Sequence, residues 1–204
     1  LKKSKQYLEE GGIRVPCLIQ WPRVIPSGSV SAKASIMMDA SVTVLEAGGA
    51  IKFVPKDRKL DGVNLLPFLT SKAEVDPANR SLGWRRRDWG PTGNYLRQEA
   101  YRSGDWKLIR TYKYLRNKKW SAEYTDELFN LGQDIGEVEN LTEKMPQKYE
   151  EMKTSFDQWK TEVVNLEPDF FIPLRDQLGS PANLSDNIVL EFNSRSFEGM
   201  IHKG

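Results

Sequence analysis

Residues 5–16 read KQYLEEGGIRVP, placing Lys5, Glu9, Glu10 and Arg14 around the pair Gly11-Gly12. A lysine at the entrance to such a turn is either surface decoration or the edge of an active site. Glycine lets a backbone pass close to a site of that kind. The chemistry also needs a nucleophile, a base or a metal, and the rest of the chain is poor in them. The sole histidine, His202, stands close to the C-terminal end, which argues against a His-dependent triad. No GxxxxGK[ST], GxGxxG, CxxC or HExxH pattern occurs. Asp57, Asp61 and Asp76 lack the spacing of a calcium loop, so the sequence offers no metal site. Glu9 and Glu10 are adjacent and would diverge on a strand. Cys17, the one cysteine, lies in the apolar run VPCLIQW and reads as a small buried hydrophobe. The residues alone amount to no complete catalytic constellation.

The elements that must position Lys5 can be read along the chain. A length of 204 residues suits one large domain or a domain and a half, and 39 % apolar residues with six tryptophans support a core. A net charge of +2 gives no global footprint for nucleic acid or a membrane surface, although basic residues cluster at Lys2–Lys5, Arg85–Arg87 and Lys113–Lys119. No run reaches the roughly 18 apolar residues of a membrane span. Ile13–Trp21 reads as a buried strand, closed by Pro22 and Pro26-Ser-Gly28. A helix is expected near residues 40–47, ended by Gly48-Gly49, and a helical turn near Leu65–Leu69. Asp76-Pro77 marks a turn. From residue 80 to 131, near-alternation of aromatic, β-branched and charged residues predicts an antiparallel sheet of three or four strands with one solvated face, turning at Ser103-Gly-Asp105. Polar-out, aromatic-in alternation by itself accounts for the interleaved Arg, Lys and Trp. Tyr149, Met152, Phe156, Trp159, Val163 and Leu166 fall at steps of 3 and 4 after Pro146, which predicts an amphipathic helix over 146–166. Beyond Glu167-Pro168 the texture loosens, with one edge strand near Asn187–Phe192 and a disordered end. The sequons at Asn79, Asn140 and Asn183 are as many as chance nearly supplies.

KQYLEEGGIRVPCLIQWP resembles a signature of the type I, formylglycine-dependent sulfatases, of the arylsulfatase and N-acetylgalactosamine-6-sulfatase kind. Lys5 stands six residues before Gly11, and Glu10, Gly12, Ile13, Arg14, Pro16, Trp21 and Pro22 fall in place. Asp39-Ala-Ser-Val-Thr43 is similar to the family's Asp-x-x-Pro-Thr helix, with Val42 in place of the proline. Leu60-Asp-Gly-Val-Asn-Leu-Leu-Pro67, Arg80-Ser-Leu-Gly-Trp-Arg85 and Ala100-Tyr-Arg-Ser-Gly-Asp-Trp-Lys-Leu108 follow in the family's order. So do Glu127-Leu-Phe-Asn-Leu131, Asp134, Gly136-Glu137 and Glu139-Asn-Leu141. The resemblance covers about residues 5–160 and the C-terminal part of the family only.

It implies an α+β fold: a fragment of an alkaline-phosphatase-like α/β domain, then a small antiparallel sheet with a packed C-terminal helix. The expected divisions are 1–50 (α/β pieces), 51–77 (connection), 78–166 (C-terminal subdomain) and 167–204 (irregular tail). The chain, beginning at Leu1, reads as a piece of a longer enzyme. The resemblance makes Lys5 the sulfate-contacting lysine of the intact enzyme, with Trp84, Arg85 and Arg102 as candidate substrate-binding residues, and Arg14 structural. In the isolated chain Lys5 is expected to contact nothing. Family members use calcium and a formylglycine, and this sequence holds neither the Cys-x-Pro-Ser-Arg nucleophile nor the aspartate pairs. The implied parent activity is hydrolysis of sulfate esters, expected on a sulfated carbohydrate and outside the cytoplasm. The chain alone is expected to be inactive, with no cofactor of its own, no nucleic acid and no membrane. Its further partner would be the N-terminal sulfatase portion. The alternative is a non-catalytic module derived from a sulfatase, either binding sulfated glycans through Trp84, Arg85 and Lys113–Lys119 or serving as an interaction domain.

Overall fold

The alternation after residue 80 forms a four-stranded antiparallel sheet in the computed structural model, which describes residues 1–70, 80–87, 96–114, 120–166, 188–191 and 200–203. Strands β1 (Ser81–Arg87), β2 (Arg97–Ser103), β3 (Trp106–Tyr114) and β4 (Trp120–Asn130) lie side by side in chain order. Ser103 pairs with Trp106 across the expected turn, where Gly104 has φ +59° and Arg102 Nε donates to its carbonyl at 2.8 Å. A side chain at Gly104 would be strained in that left-handed conformation.

Both faces of the sheet are covered, which corrects the expectation of one solvated face. On one face Trp84, Ala100, Ile109 and Phe129 pack with Leu131 and with Leu8 and Ile13 from the N-terminal segment. On the other, Tyr101, Leu108, Tyr112 and Leu128 are buried together with Met152 and Phe156 of α4 (Pro146–Leu166). The Tyr101 and Phe156 rings meet edge to face at 6.4 Å. The strands carry charge on both faces because the charges are paired inside. Arg110 holds Asp126 through two bonds of 2.8 Å and lies over the rings of Tyr124 and Phe156. Glu99 accepts from Arg85 Nε at 3.2 Å and from the Tyr112 hydroxyl at 2.7 Å. Bidentate and cation–π contacts of this kind let an arginine sit in a strand without facing water.

The expected buried strand over Ile13–Trp21 does not form. Its first residue closes α1 (Glu10–Ile13), and residues 14–35 hold neither helix nor strand. Leu18 is 98 % exposed, Val15 69 %, and Cys17 is exposed rather than buried. An apolar run becomes a buried strand only beside other strands, and the described sheet pairs none of its four with this run. α2 (Met37–Ala47) begins earlier than expected, because the Asp39 carboxylate accepts the Ile36 N–H at 2.8 Å at its start. It ends at Gly48 and Gly49 (φ +63°), where the Ala50 N–H returns to Leu45 O at 2.8 Å. A single turn, α3, spans Leu66–Leu69.

The chain divides into two compact units, Leu1–Phe156 and Asp157–Gly204. In the second, β5 (Ile188–Glu191) pairs antiparallel with β6 (Met200–Lys203), so the end of the chain, read as disordered, carries a strand containing His202. The Asp76-Pro77 turn, Asn79, Asn183, residues 115–119 of the basic run and residues 167–187 of the tail lie outside the described residues. Among the described residues no helix is long and apolar enough to cross a membrane.

Candidate functional site

Lys5 is exposed in the Lys2–Tyr7 loop and, among the described residues, forms no ion pair. Lys3 (φ +62°) and Gln6 (φ +88°) flank it in the left-handed region, a conformation that persists in non-glycine residues only when the surroundings hold it. The loop folds back on α1, where the Gly11 N–H donates to Lys2 O at 3.0 Å. A Cβ at Gly11 would stand 2.3 Å from Lys3 O, and one at Gly12 2.0 Å from Tyr7 O. The Gly-Gly pair is therefore a requirement of close backbone packing beneath Lys5.

Three strands hold this segment. From β4, Glu127 accepts from Lys2 Nζ at 3.0 Å. From β2, Gln98 accepts from the Leu8 N–H at 3.1 Å and approaches Glu9 at 3.5 Å. From β3, the fully buried Lys107 bonds Glu10 and Glu137, each at 2.8 Å. Glu137 (φ +53°) also accepts the Glu10 N–H at 2.6 Å. Burial pushes the Glu137 carboxyl above its usual range, against the opposing pull of Lys107. Arg14 reaches the rim of this cluster at 3.6 Å from Glu10. Glu9 and Glu10, expected to diverge, are both buried beneath the same sheet face.

A second cluster lies at the buried Asp39. Its carboxylate accepts from Ile36 N–H, from Val63 N–H at 3.0 Å and from Arg80 Nη2. One helical turn on, Thr43 accepts the Leu65 N–H at 3.0 Å. A Cβ at Gly62 would stand 2.1 Å from Met38 O. Burial raises the Asp39 carboxyl, but the Arg80 bond, the two backbone N–H groups and the Arg80 charge together bring it below the usual carboxylate range. Beside the sheet, Asn140 accepts from Leu128 N–H at 3.0 Å and Thr142 N–H at 3.1 Å, and Asp134 closes its turn on Val138 and Glu139. The sequence motifs thus resolve into contacts with one another. EEGGIR, GDWKL and GE meet at Lys107, while DASVT, LDGVNLLP and RSLGW meet at Asp39.

The other candidate residues do not gather around Lys5. Trp84 is partly buried against the core on the face covered by residues 1–14. Arg85 points to the opposite face, bound to Glu99. Arg102 holds the Gly104 turn. Lys113 pairs with Glu123 at 3.7 Å on the surface. Glu10, Lys107 and Glu137 were not singled out from the sequence as a group. Each lies inside a motif, but nothing along the chain shows that the three converge. Among the described residues no group of three or more His, Cys, Asp or Glu side chains is placed to hold a metal ion. A cleft of about 1060 Å³ opens between residues 17–35 and α3, and among the described residues Arg23 and Lys33 are the charged groups that line it. Lys5 does not line it, and no carboxylate does among the described residues.

A family model described as "N-sulphoglucosamine sulphohydrolase, C-terminal" matches residues 3–165. The mouse (Mus musculus) steryl-sulfatase is 45 % identical over 65 residues, which cover 32 % of this chain and 10 % of that protein. A sulfatase of Formosa agariphila is 29 % identical over 151 residues, 72 % of this chain and 25 % of its own length. The solved structure of BT4656, in complex with its substrate D-glucosamine-2-N,6-O-disulfate, superposes with a TM-score of 0.53 at 22 % identity. That superposition covers 74 % of this chain and 29 % of BT4656. The chain spans 10 % and 25 % of the lengths of the two curated relatives named.

Proposed function

Because the chain belongs to the sulfatases, in the family described by their N-sulphoglucosamine sulphohydrolase C-terminal part, we propose that it supplies the sulfate-binding lysine of a sulfate ester hydrolase acting on a sulfated carbohydrate. The observation that carries this reading is Lys5: an exposed ammonium on a strained loop that three strands and a Gly-Gly turn hold in place. A solvated surface lysine needs no such frame. Held there, the ammonium would sit against a sulfate oxygen and offset charge developing on the sulfate and the departing alkoxide. Residues 1–50 would belong to the α/β catalytic domain, 51–77 to the connection, 78–166 to the C-terminal subdomain and 167–204 to the tail. The exposed Val15, Leu18, Ile19, Trp21 and Val24 fit a segment that completes that α/β domain. Nucleophile, calcium ligands and proton-transfer groups would come from the remainder of the enzyme, so the chain alone would be inactive.

The test joins the chain to the remaining portion of a sulfatase and assays an aryl sulfate and a sulfated glucosamine. The joined enzyme is expected to hydrolyse both, and the isolated chain neither. Lys5→Ala in the joined enzyme is expected to lower kcat by about 10²–10³-fold, the cost of losing one donor to a developing anion. Hydrolysis by the isolated chain, or an unchanged rate in Lys5→Ala, overturns the proposal.

A further inference from the structure

The Lys107 cluster serves none of the chemistry assigned so far, and its cost needs a reason. One cation and two carboxylates lie almost wholly out of water, with Arg14 at the rim 3.6 Å from Glu10, where an apolar trio of similar volume would pack about as well. From the geometry we infer that Lys107 is the positioning residue of Lys5, acting through Glu10 and Glu137. This rests on the sulfatase reading for its functional meaning, not for its structural content.

The path is short. Lys107 Nζ fixes the Glu10 carboxylate at 2.8 Å, and Glu137, fixed by the same Nζ, takes the Glu10 N–H at 2.6 Å. Glu10 is thereby tied at both its side chain and its backbone. It is the first residue of α1, and the next two residues are the glycines against which the carbonyls of Lys2, Lys3, Ser4 and Tyr7 are packed. Any shift of Glu10 moves the floor of the Lys5 loop. The left-handed residues Lys3 and Gln6 would relax once that floor moves, because isolated chains hold such conformations poorly. The clamps at Lys2 and Leu8 secure the ends of the loop, whereas the Lys107 cluster secures the turn beneath it. Ionic bonds suit this task better than apolar contacts, since charge-assisted hydrogen bonds fix direction as well as distance.

The experiment is native-state hydrogen exchange on Lys107→Met in this chain. The Tyr7 N–H, bonded to Ser4 O, and the Gly11 N–H, bonded to Lys2 O, report the loop. The β2–β3 ladder amides report the sheet. Loop amides are expected to exchange at least about tenfold faster while the ladder keeps its protection, the pattern of local opening. Unchanged protection at Tyr7 and Gly11 overturns the inference. If Lys107→Met opens the ladder as well, the triple variant Lys107→Met, Glu10→Gln, Glu137→Gln decides by the same criterion, since it leaves no buried charge unpaired. In the joined sulfatase, Lys107→Met is expected to lower kcat at unchanged KM, and to cause no further loss in a Lys5→Ala background. Equal losses in both backgrounds overturn the link to Lys5. Absence of activity in every form would defeat the sulfatase reading and leave the exchange result standing.

Discussion

Asp39→Asn is the sharpest probe of the second motif cluster. Asp39 is 0 % exposed, and its Oδ2 accepts from both Ile36 N–H and Arg80, while Oδ1 accepts from Val63 N–H. An asparagine can keep Oδ2 as its carbonyl only by turning its NH₂ towards the Val63 N–H, donor against donor. An unsatisfied buried donor costs about 1–3 kcal/mol, and weakening a hydrogen bond to a charged partner costs about 1.5–3 kcal/mol when complete. With Arg80 and Val63 both partly exposed, the expected loss is about 2–4 kcal/mol, a large share of the about 5–15 kcal/mol that stabilises a domain. Thr43→Val removes one acceptor from Leu65 N–H and is expected to cost about 1–2 kcal/mol. The double variant is expected to cost less than the sum, because both side chains hold the same segment. Urea unfolding followed by tryptophan fluorescence measures all three. The pH dependence has a defined sign. Asp39 titrates lower in the folded than in the unfolded chain, so its stabilisation is present above the unfolded value of 3.8 and lost as pH falls through the folded one. The gap between wild type and Asp39→Asn should therefore be full at neutral pH and shrink below about pH 4. A loss under about 1 kcal/mol, or a gap that widens in acid, refutes the reasoning.

Gly11→Ala and Gly12→Ala each force backbone apart, since the added carbon would lie within 2.3 Å of a carbonyl oxygen. Each is expected to lower stability by about 1–3 kcal/mol or more and to speed exchange at Tyr7, whereas a silent thermal scan would contradict the packing argument. Glu137→Gln tests the buried cluster from the other sign. The folded-state carboxyl of Glu137 lies above its unfolded value of 4.5, so its contribution is full below that value and lost as pH rises through the folded one. The Tm of Glu137→Gln relative to wild type should therefore climb as pH rises above the unfolded value of 4.5, with Lys107, Glu10 and Arg14 as the charged neighbours. A flat or falling difference would contradict the raised carboxyl.

Local pattern carried a large part of the fold. The steps of 3 and 4 from Tyr149 onward placed α4 at Pro146–Leu166, and Ser103-Gly-Asp105 placed the β2–β3 turn, because helix periodicity and a left-handed glycine are properties of a few neighbouring residues. The motifs were legible as strings, and their order identified the family before any contact was known. The run Ile13–Trp21 was misjudged because apolar character states a need for partners without saying where they are. The sheet's second face was misjudged because a lysine or glutamate in a strand ordinarily signals water.

Lys107 shows where the division falls. As a residue type in GDWKL it reads as a polar position in an alternating strand. It is buried because Glu10, 97 residues earlier, and Glu137, 30 residues later, fold onto the same side of the sheet. Sequence alone determined which groups carry charge, where glycine must stand, and that Lys5 precedes the Gly-Gly pair by a set interval. Only the tertiary structure decided which charges leave water, since burial depends on surfaces brought together from distant parts of the chain.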